Sequence, residues 1–349
     1  MELDRLWHRG KKFLGVRYPI ICGAMTWISD SRLVEDVSAE GAFASLAAGN
    51  LEPEALRREI EQTRSATDSP FAVNLITIAP RYREHLNLVA EMEVPVVIFA
   101  GSFPRASDVL VVKKAGCKAV CFASNESIAR RMIRFGADAL ILEGNEAGGH
   151  IGHVSLIILL QQILFHVDEV PIFVAGGIAS GRLIAHLLLM GAAGVQLGTR
   201  FVMSRECRVH PAFKNVFVRA RARDAVASPA VASDLHVVPV RAIRNRGTEE
   251  FADLQMGLLM RRRRGEISQS EAQNRVEEYW MGALRRAVQE GDVDHGSLMA
   301  GQSVGLTHGI QSLREIIQEL ISDAEGELDR IRRKLYSGDE PDETETERR

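Results

Sequence analysis

Three glycine-rich stretches hold the residues best suited to chemistry. The first, Glu143-Gly144-Asn145-Glu146-Ala147-Gly148-Gly149-His150-Ile151-Gly152, carries an imidazole among small residues. A histidine in such a setting titrates near neutral pH and serves as a general acid or base. The second, Ala175-Gly176-Gly177-Ile178-Ala179-Ser180-Gly181, and the third, Gln196-Leu197-Gly198-Thr199-Arg200-Phe201, have the makings of a phosphate cradle. Glycines let backbone N–H groups approach phosphate oxygens closely. A following helix N-terminus adds partial positive charge, and the Thr199 hydroxyl adds a donor. His153 lies three residues after His150, but no carboxylate or third histidine stands at helpful spacing, so the pair is not read as a metal site. Glu143 and Glu146 flank the same loop, each either a hydrogen-bond partner for a ligand or water, or a turn residue. Asn74 would present a buried amide that ligand or protein must satisfy. No Gly-x-Ser-x-Gly elbow is present, and Cys22 has no base nearby in sequence, so a serine or cysteine nucleophile is not supported.

The elements that must position these residues follow a simple rhythm. Apolar runs at 19–25, 43–47, 71–76, 94–100, 118–123, 139–144, 172–177 and 194–200 alternate with amphipathic stretches at 31–40, 53–65, 81–91, 105–115, 126–135, 156–166 and 182–190. Runs apolar throughout indicate strands covered on both faces, hence a parallel sheet. Eight strands in strict β-then-α order predict a closed (β/α)8 TIM barrel over 18–204, behind an N-terminal segment, 1–17. An open doubly wound sheet would carry Gly-x-Gly-x-x-Gly after its first strand, where this chain reads Cys22-Gly23-Ala24-Met25-Thr26. In a barrel the three glycine loops follow strands six, seven and eight, at the C-terminal face where barrel enzymes hold their ligands. Beyond them, helical periodicity without a further strand series predicts a small helical domain inserted after strand 8, over 205–290. A segment over 291–335 returns to the barrel and includes an amphipathic helix at 312–334. The acidic, apolar-poor tail, 336–349, reads as disordered.

Bulk properties narrow the function classes. The chain has 349 residues and a net charge of −3, and its one basic run, Arg261 to Arg264, reads as a solvated helix end. Nucleic acid is therefore not the expected partner. Four scattered cysteines fit a reducing compartment. The N-terminus resembles neither a signal peptide nor an anchor, and no segment reaches the ~20 unbroken apolar residues of a membrane helix. The expected location is cytoplasmic, and a homodimer is left open.

With these residues in place, the chain resembles the FMN-dependent group containing nitronate monooxygenase (2-nitropropane dioxygenase), the flavin-dependent enoyl-acyl-carrier-protein reductase and some NAD(P)H:quinone reductases. The resemblance runs from Tyr18 to about residue 320 and rests on Phe71-Ala72-Val73-Asn74, Glu146-Ala147-Gly148-Gly149-His150, Ala175-Gly176-Gly177-Ile178 and Gln196-Leu197-Gly198-Thr199-Arg200-Phe201. It implies FMN across the barrel mouth, near the backbone of Gly23, Ala24 and Met25. Asn74 and Gln196 would contact it, with Glu143, Gly148, Gly149 and Ala175 beside it. Gly176, Gly177, Gly198 and Thr199 would hold its phosphate. His150 falls on the family's catalytic histidine. Glu146-Ala147-Gly148-Gly149-His150-Ile151-Gly152 and Gly291-Asp292-Val293-Asp294-His295-Gly296-Ser297-Leu298-Met299-Ala300-Gly301-Gln302 favour the enoyl-reductase branch. That branch implies reduction of an enoyl thioester with NAD(P)H as reductant, His150 as proton donor and an acyl carrier protein as a partner. The alternatives are oxidation of alkyl nitronates with O2, quinone reduction, or an inactive barrel serving as a binding subunit. Departures at Cys22-Gly23-Ala24-Met25, Gly41-Ala42-Phe43-Ala44 and Ala100-Gly101-Ser102-Phe103-Pro104 fall on the substrate side of the flavin.

Overall fold

Each apolar run forms a short strand. The computed structural model describes residues 2–228, 235 and 238–336. Its strands are β1 (Ile20–Cys22), β2 (Phe43–Ala47), β3 (Ala72–Ile76), β4 (Val96–Ala100), β5 (Lys118–Ala123), β6 (Ala139–Glu143), β7 (Gly149–His150), β8 (Ile172–Ala175), β9 (Gly194–Leu197), β10 (Ala225–Ala227) and β11 (Val240–Ile243). Eight of them close a parallel barrel in the order β1-β2-β3-β4-β5-β6-β8-β9. Ile21 of β1 stands opposite Gln196 of β9 at the seam.

The two-residue period of a strand explains why these runs had to be apolar on both faces. Ile21, Phe43, Ala72, Val96, Ile98, Val120, Ile141 and Phe173 point inward and fill the barrel. Their neighbours Ile20, Cys22, Val73, Val97 and Val174 point outward and pack under the surrounding helices. The N-terminal segment forms two short helices, Glu2–Leu6 and His8–Leu14. Phe13, Leu14 and Val16 join the inner cluster, closing the barrel at the end opposite its mouth. All four cysteines are buried free thiols.

Two regions differ from the sequence-based expectation. The stretch at 156–166 is α-helical only over Leu156–Leu159 and continues as a π-helix over Leu160–Leu164. The region 205–290 contains helices Pro211–Arg219, Arg246–Arg263 and Gln269–Arg285, but also β10 and β11. These two pair antiparallel with each other, and β11 pairs with β7, giving a three-stranded sheet ordered β10-β11-β7. Its helices have their own core, built on Phe251 and Trp280 with ring centroids 4.2 Å apart.

The chain then crosses back over the barrel and ends in the long helix Leu313–Tyr336, which packs along Gly181–Leu189. No helix of the described residues is long and apolar enough to cross a membrane. The tail expected to be disordered lies, from residue 337 on, outside the described residues.

Candidate active site

Extending the inward alternation to the C-terminal ends of the strands reaches Gly23, Ala47, Asn74, Ala100, Phe122, Glu143, Ala175 and Gln196. All of them line a cavity of about 400 Å³ at the barrel mouth. The apolar filling below therefore ends in a layer that carries an amide at Asn74, a carboxyl at Glu143 and an amide at Gln196. Neither amide side chain makes a hydrogen bond to the described residues. Polar groups on a cavity wall without protein partners are set to meet a ligand or water.

Ala24 and Met25 continue the wall from β1, and Gly176, Gly177, Gly198 and Thr199 continue it from β8 and β9. Gly176 and Gly177 sit at φ +94° and +73°, consecutive left-handed conformations that residues with a Cβ adopt only at a cost. They lead into the helix Gly181–Leu189, whose first turn is capped by Ser180 through a 3.3 Å bond from Leu183 N–H. Thr199 Oγ1 accepts the Gly301 N–H at 3.0 Å, which leaves the hydroxyl proton free to be donated elsewhere. Gly148 lets the returning chain cross over the site: a Cβ there would lie 2.5 Å from the Ala300 carbonyl carbon and the Gly301 nitrogen.

His150 lines the same cavity, as do Gly148 and Gly149. It stands on a strand and not, as its glycine-rich surroundings suggested, in a loop: β7 pairs through Val240↔His150 and Arg241↔Gly149. The His150 side chain is 29 % exposed, and Nε2 lies 3.4 Å from the Glu277 carboxylate, which comes from the helix Gln269–Arg285. Burial disfavours the imidazolium, but the Glu277 carboxylate, with a smaller contribution from Glu143, outweighs it and raises the His150 pKa. Glu143 is pushed up to about 8, because burial penalises its charged form more than the neighbouring imidazole favours it. At neutral pH that carboxyl is mostly protonated and can donate.

Glu146, the other acidic residue of the loop, turns away from the ligand space. Its carboxylate accepts the Leu156 N–H at 3.0 Å, so it is the turn residue of the pair. Arg241 reinforces the loop, with Nε donating to the Asn145 carbonyl at 3.0 Å. Residues that the sequence-based reading did not place at the site include Glu277 and the crossing segment with Met299, Gly301 and Ser303, the last three of which line the cavity. Glu277 lies 127 residues from His150 in sequence, within an ordinary charged helix, so no local signal marks it.

A closed parallel barrel with a ligand cavity at its C-terminal mouth, walled by glycine turns and one histidine, defines a barrel enzyme. The chain belongs to the nitronate monooxygenase family, whose sequence model matches residues 8–85 and 76–323, and it is an oxidoreductase. The chain is similar to the (3aS,4S,5R,7aS)-5-hydroxy-7a-methyl-1-oxo-octahydro-1H-indene-4-carboxyl-CoA dehydrogenase of Rhodococcus jostii (strain RHA1), at 28 % identity over 92 % of this chain and 96 % of the relative. A probable nitronate monooxygenase of Staphylococcus aureus (strain MRSA252) is 26 % identical over 85 % of this chain and 92 % of its own length. Among solved structures, FabK from Thermotoga maritima superposes with a TM-score of 0.83 at 34 % identity, covering 93 % of this chain and 98 % of that one.

Proposed function

We propose that this chain is an FMN-dependent oxidoreductase that reduces the Cα–Cβ double bond of an enoyl thioester with NAD(P)H, His150 supplying the proton to Cα. The observation that carries this reading is the shared cavity: an imidazole paired with a carboxylate stands in one wall, and amides whose side chains have no hydrogen-bond partner among the described residues form the floor.

The donor set fits FMN. The Asn74 and Gln196 amides, without side-chain hydrogen bonds among the described residues, offer donors and acceptors to a heterocycle edge, and protonated Glu143 adds another donor. The backbone at Gly176, Gly177 and Gly198 would take the phosphate, with the Thr199 hydroxyl directed to it. FMN, when bound, supplies the hydride chemistry; the protein supplies orientation and the proton. Nε2 of His150 faces Glu277, so Nδ1 is the nitrogen left to exchange a proton with substrate. The Glu277 carboxylate favours the imidazolium, the form a proton donor needs. A thioester substrate is supported by the likeness to a carboxyl-CoA dehydrogenase, which handles a CoA thioester, and by the two motifs that resemble the enoyl-reductase branch.

A second reading is oxidation of alkyl nitronates with O2, favoured by the family description and the staphylococcal relatives. The purified protein should be yellow. NADH and NADPH oxidation is measured with enoyl-CoA and enoyl-acyl-carrier-protein, with a quinone and, for O2 uptake, with propyl-2-nitronate. Turnover of the thioester alone supports the first reading, and nitronate-dependent O2 uptake alone supports the second. A colourless protein that gains no thermal stability from added FMN overturns both.

A further inference from the structure

We infer that Glu277 is a positioning residue for His150, its carboxylate fixing the imidazole's orientation through Nε2 and favouring the doubly protonated ring, whose other nitrogen, Nδ1, gives up the proton. The role deepens the proposed function, because it matters to catalysis only if His150 transfers a proton.

The helix that carries Glu277 is applied to the barrel mouth along one face. Glu277, Met281, Leu284 and Arg285 follow at helical spacing on Gln269–Arg285. Trp27 Nε1, in the loop after β1, donates to the Met281 carbonyl at 3.1 Å. Arg285 places its guanidinium 5.6 Å from the centre of the Trp27 ring, and Leu284 forms part of the cavity wall. Trp27 itself has a φ of +65°, a conformation a bulky residue keeps only when its surroundings hold it there. The helix is therefore anchored to the rim within two turns of Glu277. The histidine backbone is fixed independently by the pairing of β7 with β11. Both partners of the contact are thus held by the insertion.

Two carboxyl groups act on the imidazole, Glu277 from the helix and Glu143 from β6. Arg241, on the paired strand β11, points its guanidinium at the carbonyls of Asn145 and Ala225. Glu143 is mostly neutral at pH 7, so Glu277 is the standing negative charge beside His150. The separation of 3.4 Å exceeds the ~2.7–2.9 Å of a tight charge-assisted hydrogen bond. The attraction is mainly that of an ion pair, strongest when the imidazole is protonated.

The test uses the full chain as wild type, Glu277→Gln and Glu277→Asp. Ring-labelled histidine NMR follows the titration of His150, assigned by the signal missing in His150→Gln. The isosteric amide should lower the His150 pKa, and the shorter carboxylate should restore it in part. In steady-state assays with enoyl thioester, Glu277→Gln should lower kcat roughly tenfold or more, as for other residues that orient a catalytic histidine. KM should stay within about threefold, and the limb of the pH profile that reports the acid should move to lower pH. An unchanged His150 titration in Glu277→Gln overturns the inference. If that variant fails to fold, the titration of Glu277→Asp decides, and a wild-type curve there overturns it as well. Unchanged titration with full thioester turnover removes Glu277 and leaves the proposed function standing. A lowered pKa with no turnover of any thioester does the reverse.

Discussion

Thr199 and Gly301 are joined by a 3.0 Å hydrogen bond from the Gly301 N–H to Thr199 Oγ1, which ties the end of the last barrel strand to the segment crossing the mouth. Since the oxygen accepts from Gly301, its proton is available to a phosphate. Thr199→Val removes both interactions and nearly preserves shape. At about 1 kcal/mol for each lost hydrogen bond, FMN affinity should fall on the order of tenfold, with Thr199→Ser close to wild type. Quenching of FMN fluorescence on titration with cofactor-free protein checks this.

His150→Ala should retain bound flavin and lose turnover. A general acid is worth typically ~10²–10⁴ in rate, so kcat should fall by about that factor while the flavin absorbance of the purified variant stays near wild type. Wild-type kcat on the true substrate would remove His150 from the chemistry.

Glu143 makes stability depend on pH in a defined direction. Its carboxyl has an ordinary value of 4.5 and rises to about 8 when buried in the fold. Below pH 4.5 both folded and unfolded forms are protonated and burial carries no ionisation penalty. As pH rises toward 8 the unfolded chain ionises first, so this group's favourable contribution is lost progressively across that window. Glu143→Gln cannot ionise. Its melting temperature relative to wild type should therefore increase between pH 5 and pH 8, and a flat difference would contradict the raised pKa.

Trp27→Ala should loosen the helix Gln269–Arg285 more than the barrel. The variant loses the bond to the Met281 carbonyl and the contact with Arg285, about 1.5–2 kcal/mol together if each contributes typically. Amide hydrogen exchange in that helix should accelerate roughly tenfold or more, while exchange in β1 to β6 changes little.

Much of the barrel is legible from the chain because its strands are buried on both faces, which leaves unbroken apolar runs. The inward alternation also reaches Asn74, Glu143 and Gln196, so the polar floor of the cavity is encoded in strand parity. The insertion hides its strands for the opposite reason. β10 and β11 are three and four residues long, too short to set a period against the helices around them. β7 is two residues, Gly149 and His150, and glycine beside histidine has no strand propensity to read. The contact between His150 and Glu277 joins segments far apart in sequence, and only tertiary packing brings them together. The choice between Glu143 and Glu146 likewise waits on direction: one side chain faces inward from a strand, and the other caps a helix start.

The pairing of β7 with β11 also bears on the order in which the molecule is made. Synthesis proceeds from the N-terminus, and every barrel strand up to Leu197 can emerge before Val240, the residue opposite His150. Until then the edge bearing the histidine has no strand to lean on, and Gly301 has not yet arrived over Thr199. A nascent or truncated polypeptide that has closed its cylinder would thus still lack a finished mouth, and the wall that carries His150 would be among the last features to take shape.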